Sequence, residues 1–235
     1  MNHEFDKFVK TFDMNEKNIQ RKYDHSYRVQ KLCENLTKDN SKKKIASVIG
    51  LLHDYGRFYQ WSNYKTFSDK ESIDHADYAV TELFEKNKIQ NFYKEKKDYK
   101  IIYEAIKNHN KYSVPENVED RFFCEMIRDA DKLDILYMYT IEELILSEEG
   151  EVTNKIKEEF YNHNLIKFKY IKTKIDRSVS VLSLVYDLNF KDSYKYLKEN
   201  KIIDKMYDKI KNKEKLKDYF KETKKYIDKK LREDD

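Results

Sequence analysis

Apolar residues recur at helical spacing along most of this chain. Phe5, Phe8, Val9 and Phe12 fall on one side of a helix predicted over 3–20, and Val29, Leu32, Cys33 and Leu36 repeat at i, i+3, i+4 and i+7 over 24–38. The polar run KDNSKKK ends that pattern, and Ile45, Val48, Ile49 and Leu52 start another over 42–54, closed by Tyr55-Gly56. Residues 57–71 show no period and read as an aromatic-rich loop. Helices are expected again over 73–87, 96–109, 117–147, 152–172, 176–188 and 190–233, the last broken near Asn200.

The fold class implied is all-α, a helical bundle with additional helices at the C-terminal end. Three Gly and one Pro in 235 residues are too few for a protein built from many tight turns, which strengthens that reading. No linker rich in Pro, Gly or Ser interrupts the chain. Residues 1–150 are expected to form the core and 151–235 a helical elaboration of the same domain.

Charge changes the picture little. Forty-eight basic residues nearly balance 44 acidic ones, so the net charge of +4 points to no specific nucleic-acid partner. No apolar run approaches the roughly 18–20 residues that span a bilayer, and the start MNHEFDKFVK lacks a signal-peptide core. Cys33 and Cys124 sit singly in apolar patterns, as reduced core thiols do. A cytoplasmic protein without a membrane partner is the expectation. The charged C-terminal helix offers a face for a second copy.

Four of the six histidines, His25, His53, His75 and His109, follow or interrupt apolar patterns on separate helices, whereas His3 and His163 lie in polar surroundings. One inward histidine is usually a hydrogen-bonded core residue; four in one small helical domain are harder to explain that way. His53 is followed by Asp54, and neighbours on a helix point about 100° apart. Further ligands for a shared cation would therefore come from other helices, as in metal-binding bundles. Asp131 lies beside the stripe of Met126, Ala130 and Leu133, while Asp129 projects elsewhere. A carboxylate beside a core face needs a metal or a basic partner.

The stretches Asp24-His25-Ser26-Tyr27-Arg28-Val29, Leu51-Leu52-His53-Asp54-Tyr55-Gly56-Arg57-Phe58 and Asp129-Ala130-Asp131-Lys132-Leu133-Asp134, in that order, resemble the HD superfamily of metal-dependent phosphohydrolases. That resemblance covers roughly residues 20–140 and implies that His25, His53, Asp54 and Asp131 are metal ligands. His75 in Asp74-His75-Ala76 and His109 after Asn108 look like the extra histidines of two-metal subgroups, in which Asp54 would bridge the ions. The alternative keeps both histidines around a single ion. Nitrogen and oxygen ligands without sulfur suit Mn, Fe, Co, Ni or Zn.

The resemblance implies hydrolysis of a phosphate ester or anhydride in a nucleotide-type small molecule, with Asp54 acting at the reacting water. Arg57, four residues after His53, is a candidate phosphate clamp or, equally, an ion-pair partner of a nearby acid. Lys132 and Arg128 flank Asp131; Lys132 is a candidate substrate contact, although surface charge is the more ordinary role for both. Tyr55, Phe58, Tyr59 and Trp61 either stack on a base or anchor their own loop. Two other function classes stay open: a di-iron oxygenase of the same ligand order, and a nucleotide-sensing module without turnover.

Overall fold

The computed structural model describes residues 1–233, and no strand occurs among them. The chain divides into two compact units, residues 1–130 and the residues from 131 onward.

The first unit opens with α1 (Asn2–Val9), which buries Phe5 and Val9. Its Asp6 accepts hydrogen bonds from Tyr27 (2.6 Å) and Tyr23 (2.9 Å) of α2 (Lys17–Leu36). The expected first helix to residue 20 is too long and the second, from 24, starts too late. The Asp13 carboxylate accepts from the Asn15 backbone N–H at 2.9 Å, a local turn that competes with the helix and lets α2 begin at Lys17.

Helix α3 (Lys43–Leu52) buries every residue from Ile45 to Leu52 and packs on α2. The two backbones come close at Gly50, where a Cβ would sit 2.7 Å from Gln30 Cα and 2.9 Å from Cys33 Sγ.

The expected loop over 57–71 is instead mostly α4 (Tyr55–Tyr64), stopped by Lys65 in the left-handed region at φ 53°. Aromatic rather than aliphatic residues make its inner face. Phe58 is fully buried against Phe5, Phe8 and Phe12, and Phe8 stacks on Tyr55 with ring centroids 3.8 Å apart. Full burial of one such ring contributes about 2–3 kcal/mol. Gly56 touches the next element, since a Cβ there would lie 2.1 Å from the His75 carbonyl oxygen.

Helix α5 (His75–Val80) is capped by Asp74, whose side chain accepts from the backbone N–H groups of Ala76 and Asp77, and it runs into a π-helical turn at Thr81–Glu85. Helix α6 (Tyr99–Asn108) buries Ile102, Ala105 and Ile106 as its spacing predicts. Helix α7 (Arg121–Ile141), shorter than the expected 117–147, supplies residues up to Ala130 to the first unit.

Among the described residues, the second unit holds the rest of α7 and five more α-helices. Helix α8 (Asn154–Tyr161) ends well before residue 172, because His163 takes the left-handed conformation at φ 56° and turns the chain. Helix α9 (Lys174–Leu182) starts in a capping box in which Thr173 and Asp176 each satisfy the other's backbone N–H. Two breaks, not one, divide the last stretch into α10 (Lys191–Glu199), α11 (Ile202–Asp208) and α12 (Lys217–Arg232). The first falls at Asn200 as expected, with Lys201 left-handed at φ 51°.

Candidate metal centre

His25 lies on α2, His53 and Asp54 in the junction of α3 and α4, His75 at the first position of α5, and His109 just after α6. All five are buried, the histidines at 0%, 0%, 1% and 5% exposure and Asp54 at 3%. They meet in pairs. His25 Nε2 is 3.2 Å from His53 Nε2, and His75 Nε2 is 3.0 Å from His109 Nε2.

Asp54 lies between the pairs. Its Oδ2 is 3.4 Å from His25 Nε2 and 3.6 Å from His53 Nε2, and its Oδ1 is 3.3 Å from His75 Nε2 and 3.7 Å from His109 Nε2.

The far sides of three rings fix their tautomers. His53 Nδ1 lies 2.8 Å from the Gly50 carbonyl and His109 Nδ1 2.6 Å from the Ile106 carbonyl, acceptors to which only an N–H can donate. His75 Nδ1 lies 2.8–2.9 Å from both oxygens of the Asp69 carboxylate, with the same consequence. In their neutral forms these rings therefore aim the Nε2 lone pairs inward. At His75 and His109 two lone pairs face each other beside a carboxylate oxygen, an arrangement that calls for a positive centre. The donor set, imidazole nitrogen with a carboxylate that can serve two sides, fits divalent transition ions.

Burial works against the charged form of Asp54, but Lys22, His53, His109 and His25 outweigh it and hold the carboxyl well below the usual range. Lys22 donates to Asp54 Oδ2 at 2.6 Å and lies 5.3 Å from the Phe67 ring centre. Lys22 does not stand out as a site residue in the sequence. Its position three residues before His25, one helical turn away, was the available signal. Asp69 does not stand out either, because it falls in the segment read as a structureless loop.

The remaining candidates are placed as follows. Arg57 Nη1 donates to Asp69 (2.9 Å), Gln60 (2.7 Å) and the Phe67 carbonyl (2.6 Å), and its Nε lies 3.5 Å from Asp54 Oδ1. Its ion pair with Asp69 is thus real. Tyr55 and Phe58 are core residues, Tyr59 stacks on Tyr78 at 4.4 Å, and Trp61 packs on Phe67 at 5.0 Å, so these aromatics anchor their own segment. Asp131 is half-buried and follows Ala130 directly on α7. Asp129, expected to project away from the core, is fully buried, and Arg128 is buried as well, donating to the backbone carbonyls of Lys111 and Tyr112. Lys132 is buried and pairs with Asp187 at 2.9 Å within the second unit.

An all-helical protein that gathers imidazoles around a shared carboxylate belongs, by fold and site, with helical proteins whose His/Asp clusters could hold a metal ion. The match to a family model is specific: the HD domain model covers residues 23–228, and the chain belongs to the HD domain family, most of whose members are metal-dependent hydrolases. No curated protein and no solved structure matches the chain. Among the described residues, no helix is long and apolar enough to cross a membrane.

Proposed function

We propose that this protein is a metal-dependent phosphohydrolase that cleaves a phosphate ester or anhydride in a nucleotide-type small molecule, using two divalent ions. The observation that carries the reading is Asp54, whose two oxygens face two separate imidazole pairs. His25 and His53 would hold one ion and His75 and His109 the other, with Asp54 common to both. By the family resemblance, Asp131, one residue past Ala130 on α7, would be a further ligand. Bound ions of this type lower the pKa of water towards neutrality and polarise a phosphoryl oxygen.

The chain's own residues have separable tasks. Asp54 stays ionised and accepts a proton from, or orients, the attacking water. Lys22 balances that carboxylate and supplies positive charge towards a phosphate. Arg57 offers further positive charge at the same edge while it braces the Asp69 segment. Lys132 is a weaker candidate for substrate contact, since Asp187 already neutralises it.

The test is elemental analysis of protein purified without added metal, followed by phosphate release from a nucleotide panel with Mn, Co or Ni. Metal and turnover in the unaltered protein, both lost in His53→Ala and Asp54→Ala at unchanged helical circular dichroism, are the expected result. Metal retained in both variants overturns the site. Iron-dependent oxygen uptake without phosphate release overturns the reaction.

A further inference from the structure

The carboxylate of Asp69 receives side-chain donors from four residues. His75 Nδ1 reaches both of its oxygens, Arg57 Nη1 and Gln60 Nε2 reach Oδ1 at 2.9 Å each, and Asn110 Nδ2 reaches Oδ2 at 3.1 Å. These donors come from α4, from the start of α5 and from the residue after His109. Gln60 is fully buried and also donates to Ser72 Oγ and the Ile73 carbonyl, so the segment between α4 and α5 is laced to the helix before it. We propose that Asp69 is a positioning residue for the second ion: it fixes the tautomer and aim of His75, and so couples occupancy of the His75–His109 pair to the conformation of residues 65–74.

The chemistry follows from what a carboxylate can do. An ionised carboxylate only accepts, so the facing His75 nitrogen must carry the proton and Nε2 must present its lone pair towards Asp54. An amide in its place can also donate, which permits the reversed tautomer and removes the lone pair from the ion's side. Negative charge on Asp69 further raises the basicity of the imidazole as a ligand. His53 and His109 lean on backbone carbonyls instead, which no substitution of a side chain removes. The His75 ligand is therefore the one among these three whose orientation depends on a replaceable side chain.

The inference rests on the two-ion reading above, and its test separates the two. Mn(II) is titrated into metal-free protein, with stoichiometry read by calorimetry and Mn–Mn magnetic coupling by electron paramagnetic resonance. The unaltered chain is expected to take up two coupled ions. Asp69→Asn should keep the first and bind the second about 10–100-fold more weakly, with the coupling signal lost at low Mn(II). Asn110→Ala, which removes a donor to Asp69 but leaves the His75 bond, should behave as the unaltered chain. If Asp69→Asn fails to fold, Asp69→Glu, which keeps the charge, is titrated instead and should show a smaller weakening. Two ions of unchanged affinity in the folded Asp69 variant overturn the role of Asp69 while the two-ion reading stands. A single ion in the unaltered protein overturns both.

Discussion

Two regions of this molecule gather a histidine among aromatic and acidic neighbours, and only one of them looks like a metal centre. In the second unit His163 is hydrogen-bonded to Glu222 at 3.1 Å and lies 4.9 and 4.7 Å from the rings of Tyr186 and Tyr226. Its side chain is 33% exposed, and among these neighbours only Glu222 offers a carboxylate. In the first unit four histidines are buried, and three have their outer nitrogens committed to acceptors, so that lone pairs converge. The difference is not the number of polar groups. It lies in convergence and burial: in the first unit the inner ring nitrogens of buried histidines meet around one carboxylate, Asp54, whereas His163 bonds a single carboxylate from a partly exposed position.

The sharpest way to break this comparison is to exchange the damage. Asp54→Ala should abolish metal uptake and turnover, whereas His163→Ala should leave metal content unaltered, as measured by elemental analysis on the two purified proteins. Loss of metal from the His163 variant would make the two clusters equivalent.

Next in size is Phe160→Ala. Phe160 is fully buried, with Tyr161, Tyr186 and Tyr219 around it, and its removal should cost about 3–5 kcal/mol. Denaturant melts should show that loss, while folded protein keeps its metal.

Gly56→Ala should do the reverse. The added Cβ meets backbone, not a yielding side chain, so α4 must shift against the start of α5. A loss of about 1–3 kcal/mol is expected, together with weaker metal binding, because His75 opens α5.

The smallest effect belongs to Asp6. Its bond from Tyr27, and then that from Tyr23, hold its carboxyl below the ordinary value against the opposing cost of burial. A depressed folded pKa adds stability that is complete above the unfolded value of about 3.9 and lost as pH falls through the folded one. Asp6→Asn should cost about 1 kcal/mol at pH 7 and less at pH 3. A cost that stays constant between those pH values in thermal melts would detach α1 docking from the ionised carboxylate.

Much of the fold was legible because aliphatic spacing is a strong signal. The patterns of Ile45 to Leu52 and Ile101 to Ile106 gave α3 and α6 within a few residues. Helix α4 escaped notice because Tyr55, Phe58 and Trp61, spaced by threes, look like a loop's aromatics when Gly56 precedes most of them. The breaks at Asp13 and His163 depend on side-chain and left-handed backbone choices that periodicity does not register. The inward aim of His25, His53, His75 and His109 was readable from the apolar positions around them. Lys22 offered only its place one turn before His25 and otherwise looked like ordinary helix-surface charge, and Asp69 became relevant only once its segment had folded back onto His75.

Gly50 sets a spacing on which the first imidazole pair depends. Helices α2 and α3 touch there because a hydrogen stands where a methyl would collide with Gln30 and Cys33. His25 stands five residues before Gln30 and His53 three after Gly50, so the gap at this crossing is inherited by the rings. Any larger residue at position 50 would spread the helices and stretch the 3.2 Å that now separates the two nitrogens. A metal ion would then have to span a wider bite, although no ligand had been altered.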